Sequence, residues 1–518
     1  MFSHLVLFSS IFLLIDGYKL PYQIPGPRSL DDKIAIVGAG PAGIHMALLL
    51  KEKGFANIEI LEKSDRIGGK SNSIQDRGTV HELGTVYLSK DYQMIKDLSE
   101  KYVPGDTSPF PPASVWLDNM TAPIPFTTYA GGFVAKTLGI TDQQAIMMEI
   151  LRALTRYQEL HREIFGEYTG ELMPQPSKEN MEKIRGTFLE FIIRNGLQAL
   201  VPLFQASTTF QGYGHIDEVA ALYGLMWNTP NFINGFKERL AGKGFGDMNI
   251  LKSGFQNLWE TIVNKENLRV TFNVDILKIY RPITSVYKTN QPLKESKCRQ
   301  VWIAKRTGNE ALPTWEKYNF LIWSPEMKDS LHLWKETVDK EIDLFSKTME
   351  SYFTASVVDT RNMVRGQTPI DYWVDNVVKK RDHSVWAQRD SYGVINRHMG
   401  PGYQSGSLPT GDDGDEKRTT VVYQMSRNIP SESYLKKKLR KHLDTLNAQD
   451  LNIKQFKTWR YFPHYQPKDI EDGILWKILE IQGRFNMWYI GSSVSFESVK
   501  SVVEYNSLIV ENMEPVAR

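Results

Sequence analysis

The sequence predicts an α/β fold that opens with a parallel βαβ unit, and three observations near the N-terminus predict it. The apolar run Ile34–Val37 has the length of a buried strand, and three glycines then follow in the G-x-G-x-x-G spacing that opens a helix. A second apolar run, Ile58–Leu61, ends at the acidic residue Glu62. Strand, glycines, helix, strand and acid in this order are typical of a Rossmann-type dinucleotide site.

Each glycine of the motif has a distinct expected role. Gly38 permits the tight turn after the strand, Gly40 lets the backbone approach a pyrophosphate, and Gly43 lets the helix lie close to the strand. Pro41 and Ala42 begin the helix, whose N-terminus offers free N–H groups and a positive dipole. We therefore expect all five residues to contribute to binding of a dinucleotide.

The acid at the end of the second strand predicts which dinucleotide is bound. Glu62 is placed to accept hydrogen bonds from both ribose hydroxyls of an adenosine, and Lys63 follows it directly. A carboxylate would repel a 2′-phosphate at this point, so the sequence disfavours NADP.

Two further segments extend the motif beyond a plain Rossmann unit. The segments are Arg66–Lys70, with its Gly-Gly-Lys ending, and His81–Thr85, which contains Glu-Leu-Gly. Together they resemble the flavin amine oxidase superfamily, whose members carry E-x(5)-G-G-[RK] and then [DE]-L-G. The resemblance implies FAD as the cofactor and an amine oxidase-like α/β fold. The cofactor contacts that it implies here are Gly69, Lys70, Gly84 and Thr85.

The resemblance returns in the middle and at the end of the chain. We expect a strand over 268–274, where the superfamily places a valine backbone against the adenine, here Val274. Near the C-terminus an apolar strand ends at Gly491, and a last helix follows whose first residues include Val499. In the superfamily this helix N-terminus meets the flavin ring. Ser492 stands where these proteins usually carry an acid, so we expect a hydroxyl contact instead.

Other segments resemble a narrower group, the polyenoic fatty acid isomerases. They are Phe204–Gly214, Tyr461-Phe462 with the following Pro467-Lys468-Asp469, and the Phe-Glu-Ser-Val of residues 496–499. This resemblance implies hydride-shuttling isomerisation of double bonds in polyunsaturated fatty acids. An oxygen-consuming flavin amine oxidase and a non-catalytic lipid-binding flavin-fold protein remain as alternatives.

Four residues are candidates for the catalytic site. Tyr213 lies in a glycine-flanked turn, and Arg460, Tyr461 and His464 precede the last strand, where the superfamily places aromatic walls facing the flavin. Arg460 is the predicted partner of a fatty-acid carboxylate. The sequence contains no H-E-x-x-H motif, no cysteine nucleophile pattern and no metal-ligand spacing, so no metal site is predicted.

The segments that resemble cofactor-binding sequence are spread along the chain, which predicts a discontinuous domain arrangement. We expect an FAD-binding domain from residues 30–105, 245–330 and 455–518. An α+β substrate domain is expected from residues 106–244 and 331–454, with helices whose Met and aromatic residues form core. Residues 400–418 are rich in Gly, Ser, Asp and Lys, which predicts a loop.

The remaining features concern location and partners. Residues 1–17 have the length of a signal peptide, which predicts a secreted protein or one in the lumen of the secretory pathway. Asn119 begins a sequon, and Cys298 is the only cysteine, so we expect no internal disulfide. Cys298 also lies far from the C-terminal flavin segment, so we expect no cysteinyl flavin link. The net charge is +2, and the basic run 436–441 predicts a solvated helix face rather than a nucleic-acid site. The expected partner is a small apolar molecule, a fatty acid or an amine.

Overall fold

The structure is a computed structural model, and it describes most of the chain. The described residues are 19–76, 79–109, 113–167, 172–241, 248–281, 300–335, 338–364, 368–390 and 417–516. The predicted signal peptide, Cys298 and residues 400–416 of the predicted loop lie outside these ranges.

The described ranges contain both strands and helices, including an uninterrupted run of helices between β8 and β9. The strands are β1 (Ile34–Val37), β2 (Ile58–Leu61), β3 (Ser73–Asp76), β4 (Thr79–Glu82), β5 (Tyr87–Leu88), β6 (Thr107–Pro109), β7 (Ala113–Trp116), β8 (Ile124–Pro125), β9 (Asn249–Leu251), β10 (Val270–Thr271), β11 (Val274–Tyr280), β12 (Val301–Thr307), β13 (Thr314–Tyr318), β14 (Phe320–Trp323), β15 (Met349–Arg361), β16 (Ile370–Trp373), β17 (Val385–Asp390), β18 (Lys417–Ser426), β19 (Gln449–His464) and β20 (Met487–Tyr489). The helices are α1 (Pro41–Glu52), α2 (Gln93–Tyr102), α3 (Phe126–Leu138), α4 (Gln143–Phe165), α5 (Lys178–Lys183), α6 (Phe188–Arg194), α7 (Val201–Ser207), α8 (Ala221–Trp227), α9 (Pro230–Leu240), α10 (Phe255–Lys265), α11 (Met327–Ser330), α12 (Asp339–Phe345), α13 (Val374–Val378), α14 (Glu432–Thr445), α15 (Pro467–Glu471), α16 (Ile474–Leu479) and α17 (Val499–Glu511).

A parallel sheet forms the centre of the molecule, and it confirms the predicted α/β fold. Its strand order is β10-β2-β1-β14-β20, and every neighbouring pair is parallel. All four residues of β1 and of β14 are buried, which is why both strands are continuous apolar runs. The strands come from both ends and the middle of the chain, so remote segments build one sheet.

The last helix, α17, packs against α1, the first helix of the described chain. Twelve successive residues of α17, Val499 to Val510, are buried. The Asn506 side-chain amide donates a hydrogen bond of 2.7 Å to the Ala42 carbonyl, inside the first turn of α1. The glycine motif and the C-terminal segment therefore occupy fixed positions relative to each other.

A mixed seven-stranded sheet stands opposite the parallel sheet. Its order is β19-β15-β18-β17-β16-β7-β8, with β16 and β7 parallel and the other pairs antiparallel. The predicted domain boundary at residue 455 falls inside β19, which runs without interruption from Gln449 to His464. One strand thus extends from the predicted substrate domain into the last predicted cofactor segment.

One expectation about local structure is wrong, and another holds only in part. The strand predicted over 268–274 is split into β10 and β11, which belong to different sheets. The chain turns between them at Asn273, which has φ of 55° and whose N–H donates to the Ser64 carbonyl. The apolar stripe of α4 is also only partly core, because Met148 is 62% exposed while Ala153 and Leu154 are fully buried.

The surface features agree with the expectations where the structure describes them. The basic run lies on α14, where Lys436 pairs with Glu432 one turn earlier. Asn119 is exposed and has φ of 66° in the turn between β7 and β8. No helix within the described ranges has the length and hydropathy that a membrane span needs.

A fully buried ion pair links the end of β11 to α12, and a tyrosine of β20 joins it. Arg281, just after β11, donates to both carboxylate oxygens of Glu341 in α12, at 2.8 and 2.7 Å. The Tyr489 hydroxyl in β20 donates to the same carboxylate at 2.6 Å. The guanidinium lies 3.5 Å from the ring centroid of Trp334. Such a pair is costly to break because the remaining charge stays desolvated.

We predict that Arg281→Met lowers the free energy of unfolding by about 3 to 5 kcal/mol, because Glu341 would remain buried without its cation. Urea denaturation of the purified variant measures this loss. The double variant Arg281→Met with Glu341→Leu should recover part of it.

A neighbouring exposed pair provides the matched control. Lys340 and Glu480 lie 3.5 Å apart with about half of each side chain exposed, so Lys340→Met should cost less than about 1 kcal/mol. An equal loss in Arg281→Met and Lys340→Met would contradict the prediction.

Candidate active site

A cavity of about 670 Å³ lies at the carboxyl ends of the parallel strands. Gly38 directly follows β1, Ser324 directly follows β14, and Gly491 is the second residue after β20. All three line the cavity. In open α/β sheets this edge is where ligands bind. The opposite wall of the cavity comes from the seven-stranded sheet.

The structure brings most of the predicted cofactor residues together around this cavity. The predicted residues that line it are Gly38, Gly40, Pro41, Ala42, Glu62, Lys63, Gly69, Lys70, Gly84, Thr85, Gly491, Ser492 and Val499. Gly43 and Val274 are not part of the lining. Segments more than 400 residues apart in the chain therefore form one site.

The glycine motif has the geometry that a pyrophosphate needs. Gly40 is extended and precedes α1, and no side chain caps the helix N-terminus there. A Cβ on Gly40 would lie 3.6 Å from the Gly69 Cα, so two backbones approach each other at the cavity wall. A Cβ on Gly43 would lie 2.0 Å from the Gly38 carbonyl oxygen. Gly43 therefore acts as predicted, through close packing of helix on strand.

Glu62 is held at the end of β2 by three donors. Its carboxylate accepts from the Ala39 N–H at 2.7 Å and from the N–H and hydroxyl of Ser64 at 2.8 and 2.7 Å. The carboxylate thus fixes the glycine turn and also lines the cavity beside Lys63. This orientation fits the predicted contact with a ribose.

Val274 occupies a supporting position behind the site. Its side chain is buried, and its N–H donates to the Glu62 carbonyl at 2.9 Å. The expected direct contact with the cofactor is therefore not visible in the cavity lining, because the turn at Asn273 directs the chain into β11, behind Glu62.

The serine that replaces the usual acid has a carboxylate close beside it. The Ser492 hydroxyl donates to Glu497 at 3.2 Å, and the Lys70 ammonium donates to the other oxygen of Glu497 at 2.6 Å. The Phe462 N–H donates to that same oxygen at 3.0 Å. Glu497 lines the cavity, so a residue five positions later supplies the acid that the sequence motif lacks.

A second acid completes this charged group. The Glu326 carboxylate lies 3.6 Å from the Lys70 ammonium and accepts from the Ser493 hydroxyl at 2.5 Å. Burial raises the pKa of Glu326, although Lys70 opposes the shift. Burial lowers the pKa of Lys70, but the attraction of Glu497 and Glu326 outweighs it and the pKa is raised. Lys70 therefore stays charged within the wall of the cavity.

Aromatic rings form the wall that faces the cofactor segments. Tyr213 and Tyr461 are parallel within 10°, with ring centroids 5.9 Å apart, and Phe353 stacks on Tyr461 at 5.0 Å. Gly212, with φ of 86°, makes this packing possible because a Cβ there would lie within 3.0 Å of both neighbouring rings. Burial raises the pKa of both tyrosines well above the usual value, so both remain neutral phenols.

Arg460 lines the cavity, but its guanidinium already has acidic partners. Its Nε donates to Glu350 at 2.8 Å, and its two Nη groups contact Glu350 and Asp329. The expectation that it pairs with a substrate carboxylate needs correction, since two carboxylates offset its charge.

His464 lies outside the cavity lining, contrary to expectation. The chain turns at Phe462, which has φ of 51°, and the imidazole then stacks on the Phe462 ring at 4.6 Å. Its Nδ1 lies 2.7 Å from the Phe462 carbonyl oxygen, and burial lowers its pKa. The ring therefore packs toward Tyr223 in α8 rather than toward the site.

Several residues of the cavity wall were not predicted from the sequence. They are Glu326, Phe353, Arg389, Tyr423 and Glu497. Only Glu497 had a local signal, because it lies within the Phe-Glu-Ser-Val segment before α17. The others belong to strands or strand ends whose positions depend on long-range pairing.

Comparison with known proteins agrees with this geometry. A family model for an NAD(P)-binding Rossmann-like domain matches residues 36–102. The chain is 22% identical to polyenoic fatty acid isomerase of Ptilota filicina over 92% of this chain and 94% of that protein.

Two solved structures have the same fold. The CLA-producing fatty acid isomerase from P. acnes superposes with a TM-score of 0.71 at 22% identity, covering 93% of this chain and 99% of that one. Putrescine oxidase bound to putrescine superposes with a TM-score of 0.59 at 13% identity, covering 93% and 98%.

Fold and site together define an FAD-dependent enzyme with an amine oxidase-type fold. The uncapped helix N-terminus, the Glu62 carboxylate and the cavity between them fit an FAD, as predicted. Within that class the chain is similar over nearly its whole length to polyenoic fatty acid isomerase.

We predict that Glu62→Ala weakens FAD binding by about 1.5 to 3 kcal/mol, because it removes a charge-assisted hydrogen bond to the ribose. Fluorescence titration of the deflavinated protein with FAD measures the dissociation constant. Asp65→Ala, which removes an exposed carboxylate near the same turn but outside the cavity lining, is the matched control and should leave the dissociation constant unchanged. An unchanged dissociation constant in Glu62→Ala would show that this carboxylate only fixes the glycine turn.

Glu82 gives the stability a specific pH dependence. Burial raises its pKa from 4.5 to about 7, although the Phe255 N–H, the Ser73 hydroxyl and Arg389 oppose the shift. The folded state therefore binds this proton more tightly than the unfolded chain. The resulting stability is complete below pH 4.5 and is lost as the pH rises toward 7.

We predict that wild type loses about 2 to 3 kcal/mol more than Glu82→Gln between pH 5 and pH 8. Urea denaturation of both proteins at the two pH values measures the free energy of unfolding. Subtracting the change in the variant from that in wild type removes the contribution of the other titrating groups. Parallel pH profiles for the two proteins would argue against a raised pKa at Glu82.

Proposed function

We propose that this protein catalyses a redox-neutral shift of double bonds in polyunsaturated fatty acids. One observation carries the proposal: the predicted FAD-binding residues and the aromatic wall of Tyr213 and Tyr461 line the same cavity. The similarity to polyenoic fatty acid isomerase over 92% of the chain supports it.

Bound FAD supplies a hydride acceptor and donor for such a reaction. The protein's own part is to position an acyl chain and to stabilise positive charge on it. A hydride that leaves an allylic carbon makes the chain a delocalised cation, and a hydride that returns to another carbon restores neutrality. No net oxidation takes place, so no second substrate is needed.

The aromatic wall suits a cationic acyl chain. Tyr213, Tyr461 and Phe353 present π faces, which attract positive charge by about 0.5 to 2 kcal/mol each in a desolvated site. Both phenols stay protonated because burial raises their pKa, so they add no anion that would capture the cation. The rings also exclude water, which would otherwise add to the charged carbon.

The N-terminus of α17 lies beside the aromatic wall, because Phe496 packs against Tyr213 with ring centroids 4.8 Å apart. Ser498 caps this helix by accepting a hydrogen bond from the Ser501 N–H at 3.0 Å, and Ser498, Val499 and Val502 line the cavity. The helix dipole favours negative charge at this end. The rings would therefore stabilise positive charge, and the neighbouring helix N-terminus negative charge, within one site.

An oxygen-consuming amine oxidase is the second candidate, because putrescine oxidase has the same fold. A non-catalytic lipid-binding protein is disfavoured by the retained glycine motif and by the orientation of Glu62. The two enzymatic reactions differ in the fate of the hydride, which an isotope can follow.

We predict that a polyunsaturated fatty acid deuterated at the reacting allylic position yields a conjugated product that keeps the deuterium at a new carbon. The reason is that the same hydride is returned to the acyl chain. Mass spectrometry of the product locates the label, and ultraviolet absorbance follows the conjugated diene under nitrogen and in air. The rates should be equal in the two gases.

Substitutions in the aromatic wall test whether the reaction takes place in this cavity. Tyr461→Leu should lower the rate about tenfold because a π face is lost, and Tyr461→Phe, which keeps the ring, should lower it less. Stoichiometric peroxide together with loss of the label to solvent would reject isomerisation and favour the oxidase.

A further inference from the structure

Arg389 is a buried cation in the wall of the cavity. It lies in β17, near the middle of the seven-stranded sheet, where it is paired with Ile370 of β16 and Val421 of β18. Its side chain faces the cavity, and the residue is only 7% exposed. A guanidinium this deeply buried needs polar partners, since isolated buried charge is strongly unfavourable.

The partners that Arg389 has in the protein are neutral. Its Nε donates to the Tyr423 hydroxyl at 2.6 Å, and one Nη donates to the Glu82 backbone carbonyl at 2.7 Å. Among the residues that the structure describes, the other Nη makes no hydrogen bond and no carboxylate pairs with the guanidinium. That Nη is not among the fully buried polar atoms that lack a partner, and Arg389 lines the cavity. A ligand in the cavity can therefore contact it.

The other arginines of the cavity wall are different. Arg460 is offset by Glu350 and Asp329. Arg66 belongs to the cofactor segment and donates to the carbonyls of Ile67 and Gly69. Arg389 alone of these three lies in the strand wall without an ion pair to an acid among the described residues, although its charge opposes the rise that burial causes in the pKa of the nearby Glu82 carboxyl.

Several apolar side chains line the cavity wall to which Arg389 belongs. Phe210 and Tyr372 stack with centroids 4.6 Å apart, and Phe353 and Ile370 line the same wall. One cation in an apolar wall is the complement of an amphiphile with an acidic head and a hydrocarbon chain. An amine would instead bring a second positive charge into the site.

We propose that Arg389 binds the carboxylate of the lipid substrate through its accessible Nη group. The proposal rests on the lipid substrate of the proposed function and names the residue that selects an acid. The incoming carboxylate offsets a charge that is already desolvated, so the protein does not need to reorganise. Tyr423 and the Glu82 carbonyl hold the guanidinium in place for this contact.

The test compares an acid with its ester in the absence of turnover. Equilibrium dialysis of the FAD-loaded protein measures binding of dodecanoate and of methyl dodecanoate, neither of which has a double bond to move. In Arg389→Gln, we expect dodecanoate to bind about 10- to 100-fold more weakly and the methyl ester to bind as in wild type. Arg460→Gln is the matched control, and it should keep the preference for the acid.

Three results would overturn the proposal. They are an unchanged acid preference in Arg389→Gln, equal weakening of both ligands, and loss of the preference in Arg460→Gln instead. If Arg389→Gln does not fold, Arg389→Lys replaces it, and its acid preference should fall below that of wild type; an unchanged preference would again reject the role. The experiment measures binding and not turnover. If the protein proved not to be an isomerase, the measured acid preference would still show whether Arg389 binds a carboxylate.

Discussion

The close contact between β1 and α1 is the constraint on which the site depends. A Cβ at Gly43 would come within 2.0 Å of the Gly38 carbonyl oxygen, so only glycine allows the helix to approach its strand this closely. The approach brings the uncapped N-terminus of α1 to the carboxyl edge of the sheet. It also positions Ala42, whose carbonyl receives the amide of Asn506 in α17. Both helix N-termini of the cavity therefore depend on one backbone contact.

The buried charges of the cavity form two groups, which differ in whether the cation has acidic partners. Lys70 lies between Glu497 and Glu326, so one cation faces two carboxyl groups, and burial raises the pKa of Glu326. Ser492 joins it through Glu497, which explains how the site retains a carboxylate after the motif has lost its acid. Arg389 is bonded to neutral oxygens. Among the described residues of the strand wall, the buried charge without an ion-pair partner is therefore that of Arg389.

The sequence predicted the parts of the site whose geometry is local. The turn after β1, the acid at the end of β2 and the start of α17 are each set by a few neighbouring residues, and they lie where expected. Arg389 gave no local signal, because its position depends on pairing of β17 with strands on both sides. His464 was misplaced since a single backbone reversal at Phe462 turns it away.

The sign of this buried charge also bears on the class of substrate. An ammonium group in the cavity would find its possible anionic partners, Glu326 and Glu497, already engaged by Lys70. It would also meet the buried guanidinium of Arg389, and repulsion between like charges is strong where water is excluded. A carboxylate would instead pair with that guanidinium, while its hydrocarbon chain contacts rings such as Phe210 and Phe353. The charges of the cavity wall therefore support the proposed lipid acid over an amine such as putrescine.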